Sequence, residues 1–249
     1  YPNVVTGLEF ERIMSGTGPF AGDLKRPGDG KPVESIAWLQ CVGSRDLQSD
    51  ADFCSSICCM ISVKEALMAK EKSGGKIDTA VFYMDMRTFG KPYQRYRDHA
   101  ENTEGVRFER GRVHSIVRDP DSGDLLLNVA DSSGAMETKT FDMAVLAVGQ
   151  RPAPGAEAAA GMLDIPLNPW GFCLPEPFSL TATAKDGVYL GGAYSGLKDI
   201  SESVTQASAA ALGAFRTLHA LAGPEEEVQE VEYTDVSREP PRILVAVCT

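Results

Sequence analysis

Four of the six cysteines in this chain fall within nineteen residues, as Cys41, Cys54, Cys58 and Cys59, a C-x12-C-x3-C-C spacing. Thiols gathered this densely point to a soft metal or an iron–sulfur cluster more than to structural disulfides. The flanking sequence sets how they meet. Ser35 to Gln40 is an apolar, strand-like run leading into Cys41, and Cys54 to Lys72 reads as a helix with Ile57, Ile61 and Met68 at helical spacing, ended by Gly74-Gly75. On that helix Cys54 and Cys58, four apart, share a face. Cys59 lies about 100° further round, so a regular helix cannot aim all three at one point without distortion in its first turn. Two other readings stay open: a tetrathiolate zinc site, although zinc sites usually show paired C-x2-4-C knuckles, and a strained vicinal redox pair at Cys58–Cys59. Buried free thiols account for one or two cysteines, not for an adjacent pair with two neighbours.

The chain has 249 residues, 43% hydrophobic and 24% charged, enough for one large domain or two modest ones. A net charge of −11, with no clustered Lys and Arg, argues against a nucleic-acid binder. No apolar run approaches the roughly 20 residues that cross a bilayer, so any membrane association is expected through a partner. The chain begins at Tyr1 without Met and ends in the apolar run Ile243 to Thr249, so it reads as a piece of a longer polypeptide.

A short helix is expected over Thr6 to Ser15, capped by Thr6 and followed by a Gly- and Pro-rich turn region. Beyond the cysteine segment, strand Thr79 to Met86 and helix Pro92 to Glu101 continue a βαβ alternation, which predicts an α/β fold. Val106 to Glu109, Arg112 to Arg118, Leu125 to Ala130 and Glu137 to Thr140, separated by turn signals, predict a β-meander. The apolar strand Phe141 to Val148 closes this unit. An Ala- and Pro-rich connection follows, then Gly187 to Ala193, a long Ala-rich helix from about Ser201 to Ala220, and an acidic, Pro-bounded linker.

A nicotinamide-binding unit would place G-x-G-x-x-G after its first strand, whereas Cys41-Val42-Gly43-Ser44-Arg45-Asp46 offers one glycine. Asp85 stands where a ribose-binding acid would sit, but a solvated strand-end carboxylate is the simpler reading. Gly149, after a buried strand, and Gly191-Gly192-Ala193, ahead of the helix that contains Gln206, are small residues of the kind that let a cofactor approach the backbone. Most such turns are only turns. Cys173, Cys248, His99, His114 and His219 read as packing or surface residues.

Several separate motifs occur in family order: Tyr1 to Thr6 with Leu8 to Arg12, Gln40 to Asp46, Cys54 with Cys58-Cys59-Met60, and Lys198 to Val204. Over residues 1–222 the chain thereby resembles the A-type flavoprotein family of heterodisulfide reductases. That family's relatives include the flavoprotein subunits of the quinone-interacting membrane-bound oxidoreductase. The resemblance implies a partial thioredoxin-reductase-like flavoprotein fold carrying FAD and [4Fe–4S] clusters. Residues 34–150 would form a Rossmann-like nicotinamide-type domain with a β-meander, 1–33 a leading connection from the FAD domain, 151–222 the trailing part of that domain, and 223–249 a linker with the start of a following element. It further implies an electron-transfer oxidoreductase subunit, cytoplasmic and working with partner subunits. Cys41, Cys54, Cys58 and Cys59 would ligate one [4Fe–4S] cluster, and Lys64 would lie near the flavin N5, where its ammonium favours the anionic reduced form. Gly149, Gly191, Gly192, Ala193, Lys198, Asp199 and Gln206 would lie on the FAD side. Two departures follow. The leading half of the FAD domain is missing, so weak FAD binding or none is expected of this stretch alone, and Ala193 stands where such reductases commonly carry Asp. Two alternatives of other classes remain, a nicotinamide-dependent disulfide reductase using Cys58/Cys59 and a structural zinc-binding module.

Overall fold

The computed structural model describes residues 1–131, 133–221, 238 and 240. Its centre is a seven-stranded sheet ordered β1-β7-β2-β3-β4-β5-β6, with β1 Val4–Thr6, β2 Ser35–Val42, β3 Asp78–Tyr83, β4 Arg107–Arg118, β5 Leu125–Asp131, β6 Met136–Phe141 and β7 Met143–Val148. From β1 to β4 all pairings are parallel, and β4, β5 and β6 continue as an antiparallel meander. The mixed α/β reading is therefore borne out.

Helices α1 Gly7–Met14 and α2 Cys58–Lys72 cover one face. α1 starts where the sequence sets it, because Thr6 and Glu9 form a reciprocal capping box in which the Thr6 N–H donates to Glu9 Oε2 at 2.7 Å. Period-2 alternation along β2 sends Ile36 and Trp38 under the helices and Ala37 and Leu39 toward the meander. Beneath the helices, Phe10 meets Trp38 edge-on at 5.4 Å. On the other face, Phe82 meets Phe141 at 5.8 Å above buried Leu125 and Leu127.

Residues 1–33, read from the sequence as a connection, supply β1 and α1 to this same sheet and core. Their turn region is tied down by Arg26, which is 3% exposed and pairs with Asp124 at 2.6 Å and Asp142 at 3.2 Å. Asp142 in turn accepts from the backbone N–H groups of Glu34 and Ser35 at the start of β2. Arg26→Ala strands three carboxylates, since Asp29 also pairs with Arg26 at 3.2 Å, but their side chains keep 31%, 29% and 18% exposure and can rehydrate. A loss of about 2 kcal/mol is expected, below the range for fully buried pairs, as read by a lower urea midpoint at unchanged slope.

Three element readings change. The two strands expected over 106–118 are one strand, β4, which pairs with β3 through Arg110 and with β5 from Gly111. The connection after Pro152 contains helix α4 Ala156–Leu163, which buries only Ala156 and Ala160 and so shows little apolar periodicity. The third change, the start of α2, bears on the cysteines. Helices α3 Lys91–Asn102 and α5 Ile200–Leu221 lie close to their expected positions. The linker reading for 223–249 falls outside the described residues, apart from residues 238 and 240.

Candidate metal centre

Cys41, Cys54, Cys58 and Cys59 line one small pocket together with Gln40, Ser44, Arg45, Ser56, Asp85 and Arg87. They arrive from three directions. Cys41 sits at the end of β2, where the register against β7 shifts between Leu39 and Val42 and the Cys41 backbone takes a left-handed φ of 61°. Bulges of this kind re-aim side chains next to functional sites.

Cys54 does not lie on the helix. α2 begins at Cys58, which corrects the expected start at Cys54 and removes the shared face with Cys58. The cause is a knot of long-range hydrogen bonds. Ser44 Oγ donates to the Phe53 carbonyl at 2.9 Å and accepts from the Ser55 N–H at 3.2 Å, while Ser55 Oγ accepts from the Gln150 N–H at 2.8 Å. Ser56 then takes φ 68°, incompatible with a helix, before the chain enters α2. Cys54 is thus freed to face the pocket from a loop, while Cys58 and Cys59 occupy the uncapped first turn of α2. Positive charge at that helix end favours thiolates.

Residues 151–221 brace this loop from outside. Phe53 packs edge-on against Trp170 and Phe172 at 5.7 and 5.8 Å, Trp170 Nε1 donates to Asp52 at 2.6 Å, and Arg151 donates to the carbonyls of Ser49 and Asp50.

Burial pushes the Cys58 thiol up to about 11, with neighbouring Cys59, Cys41 and Cys54 adding to the rise, and it also raises Cys59 and Cys41. Arg45 partly offsets the rise at Cys41 and is shared with Asp85, which also pairs with Arg87. Asp85 is therefore a paired rim residue, half-exposed. Thiols held neutral by burial are poor nucleophiles, and a bound cation is what deprotonates them. Adjacent Cα atoms stand about 3.8 Å apart, short of the usual disulfide span, so both observations weigh against a Cys58–Cys59 redox pair.

Among the described residues, no three His, Cys, Asp or Glu side chains converge closely enough to hold a single metal ion. A tetrathiolate zinc site needs sulfurs about 3.8 Å apart around one centre, from Zn–S bonds of about 2.3 Å. A cubane spreads its ligands over four corners, so four soft donors ringing one pocket suit it better. The pocket they line, as it stands, admits about one water. A 220 Å³ cavity adjoins, sharing Gln40, Cys41, Ser44 and Arg45 as walls.

The residues expected on the flavin side occupy separate places. Gly149 lies against the cysteine loop, where a Cβ would meet Ser44 Cβ and Ser55 Oγ at 2.8 Å, so its smallness serves loop packing. Lys64 is half-exposed on α2 and pairs with Glu11 of α1 at 2.8 Å. Gly192 and Ala193 begin a 3₁₀ turn, Gly192–Ser195, and Gly191 packs against Ala207 of α5. Gln206, buried, donates to the Leu180 carbonyl at 2.6 Å and to Ser195 at 2.8 Å. Asp199 caps α5, accepting from the Glu202 N–H at 2.7 Å, while neighbouring Lys198 reaches back toward Gly196.

No family model matches the chain. The chain is 40% identical over 235 residues, 93% of its length, to the second A-type iron-sulfur subunit of the CoB–CoM heterodisulfide reductase of Methanopyrus kandleri. It is 38% identical over 85% of its length to the A-type iron-sulfur subunit of the CoB–CoM heterodisulfide reductase of Methanocaldococcus jannaschii. It spans 35% and 32% of those two proteins. Among solved structures, a thioredoxin reductase from T. acidophilum matches 88% of this chain and 58% of its own, at a TM-score of 0.53 and 13% identity, which establishes the flavoprotein-type fold. The resemblance to the A-type subunits of heterodisulfide reductase is thereby borne out, over a stretch equal to about a third of their length.

Proposed function

We propose that this chain is the segment of a heterodisulfide-reductase-A-type oxidoreductase in which Cys41, Cys54, Cys58 and Cys59 hold a [4Fe–4S] cluster beside FAD. The observation that carries the reading is the convergence of these four cysteines, from a strand bulge, a loop and a helix start, on one pocket rimmed by Arg45 and Arg87. The relatives' name, iron-sulfur subunit, supports it. A bound cluster would supply one-electron transfer, and FAD would supply exchange between one- and two-electron steps. The chain's own residues ligate, orient and shield. The Ser44–Ser55–Gln150 knot fixes the ligand loop, Phe53 with Trp170 and Phe172 covers its outer side, Arg45 offsets charge at Cys41, and the Arg87 backbone N–H favours the Cys59 thiolate.

Lys64 lies about 9 Å along the α2 axis from Cys58, from a rise of about 1.5 Å per residue. On this reading its ammonium faces the flavin and favours the anionic reduced form. Gly191, Gly192, Ala193, Lys198 and Gln206 belong to the trailing part of the FAD domain. Asp199 acts there through its cap on α5. Val204, Leu212, Phe215 and Leu218 on α5 are all more than half exposed, an apolar face suited to the remainder of that domain in a longer polypeptide. Among the described residues no helix is long and apolar enough to cross a membrane. Electron exchange with partner subunits of a cytoplasmic complex, and with a membrane only through them, completes the proposal.

Anaerobic reconstitution tests it. About four irons and four acid-labile sulfides per chain, with an EPR signal on dithionite reduction, are expected of a cubane. Tight zinc binding without iron, or a thiol count that changes by two on mild reduction without iron, overturns the assignment.

A further inference from the structure

Gln40 is the residue beside the cysteines whose chemistry is left open. Its side-chain Oε1 and Nε2 are both buried and neither has a hydrogen-bond partner among the described residues. It precedes Cys41 within the bulged end of β2 and forms part of the wall of both the cysteine pocket and the 220 Å³ cavity. A buried primary amide with no partner on either side is costly, on the order of 1–3 kcal/mol for each unsatisfied group. Hydrophobic packing does not explain it, since Leu or Met would fill the same space without that cost.

We propose that Gln40 is a tuning residue for the cluster, donating an Nε2–H hydrogen bond to a cysteine thiolate or inorganic sulfide. This rests on the cluster reading above. The direction of the amide follows from the chemistry of the sulfur. Anionic sulfur only accepts, so the N–H side must face it. Neutral thiols, weak donors and weaker acceptors, leave the amide unsatisfied, so the geometry is completed by a negatively charged sulfur site. Hydrogen bonds to cluster sulfur stabilise the more negative, reduced state and raise its potential.

Gln40→Met keeps length and volume but removes the donor. With the wild type and the variant both reconstituted anaerobically, the variant is expected to hold as much iron and sulfide as the wild type. Its midpoint potential is expected to fall by about tenfold in the reduction equilibrium, ~59 mV for one electron, with altered EPR g-values. Equal potentials at equal iron content overturn the role of Gln40 and leave the cluster reading standing, whereas a wild type that takes up no iron overturns both. Should the variant not load, the wild type decides. A nitrogen coupling from side-chain ¹⁵N-labelled glutamine in the pulsed EPR of the reduced cluster, absent in Gln40→Glu, supports the contact, and no such coupling in the wild type refutes it.

Discussion

Cys59→Ala, reconstituted anaerobically beside the wild type, is expected to lose at least one iron per chain and the EPR signal of the reduced cluster. Cys59 is 6% exposed in the first turn of α2, so no water can readily take over its place as ligand. Burial also raises its thiol and so disfavours the thiolate in the absence of a bound cation. On the proposed cluster reading, removing it opens one corner of the four-cysteine donor set. Cys173→Ala is the matched control. Cys173 is 1% exposed but packs with Ala160, Ile165 and Leu190 in a separate small cluster, so that variant should load like the wild type. A Cys59→Ala chain that retains about four irons and an unchanged signal would remove Cys59 from the ligand set.

The convergence of the four cysteines was legible because it rests on local facts: an apolar strand ending at Cys41 and a helix carrying Cys58 and Cys59. The route of Cys54 was not. It depends on Ser44, Ser55 and Gln150 meeting across up to 95 positions of sequence, which no helical or strand period encodes. The same holds for Arg45 and Asp85, 40 residues apart, and for the orphaned amide of Gln40, whose type is ordinary at a strand end and whose burial appears only in three dimensions. α1 was legible to the residue because Thr6 and Glu9 satisfy their bonds within one turn. α4 was not, since a helix that buries two alanines leaves no apolar stripe to read. Charges at Glu109, Arg110 and Arg112 hid the continuity of β4, whose polar side chains are tolerated because much of that strand is exposed. The flavin-side residues stayed weakest throughout. Gly149 and Asp199 meet structural needs of their own, a close packing and a helix cap, which the sequence cannot separate from cofactor contact.

Glu65 carries the second large effect. It follows Lys64 on α2, is 1% exposed, and receives the Trp38 indole N–H at 2.8 Å on one carboxyl oxygen, while the other lies buried against Gly7 without a partner. Burial pushes its carboxyl up to about 7, Trp38 draws it down, Glu11 raises it further and Lys64 lowers it. The sign follows from proton binding. Between the unfolded value of 4.5 and about 7, the folded chain holds a proton that the unfolded chain has released, so folding is favoured at the acid end. This contribution is complete below pH 4.5, is lost as pH rises through the folded value, and stays lost above it. The difference is on the order of 3 kcal/mol at about 1.36 kcal/mol per unit. Glu65→Gln keeps an acceptor for Trp38 and carries no charge at any pH, so it should behave as the protonated carboxyl does throughout. Urea unfolding of both chains at pH 5 and pH 8 reads the result. The two should be of similar stability at pH 5, and the variant should be the more stable by about 3 kcal/mol at pH 8. Parallel pH dependences would mean that the carboxyl is hydrated in solution and that the Trp38 contact is not a dry one.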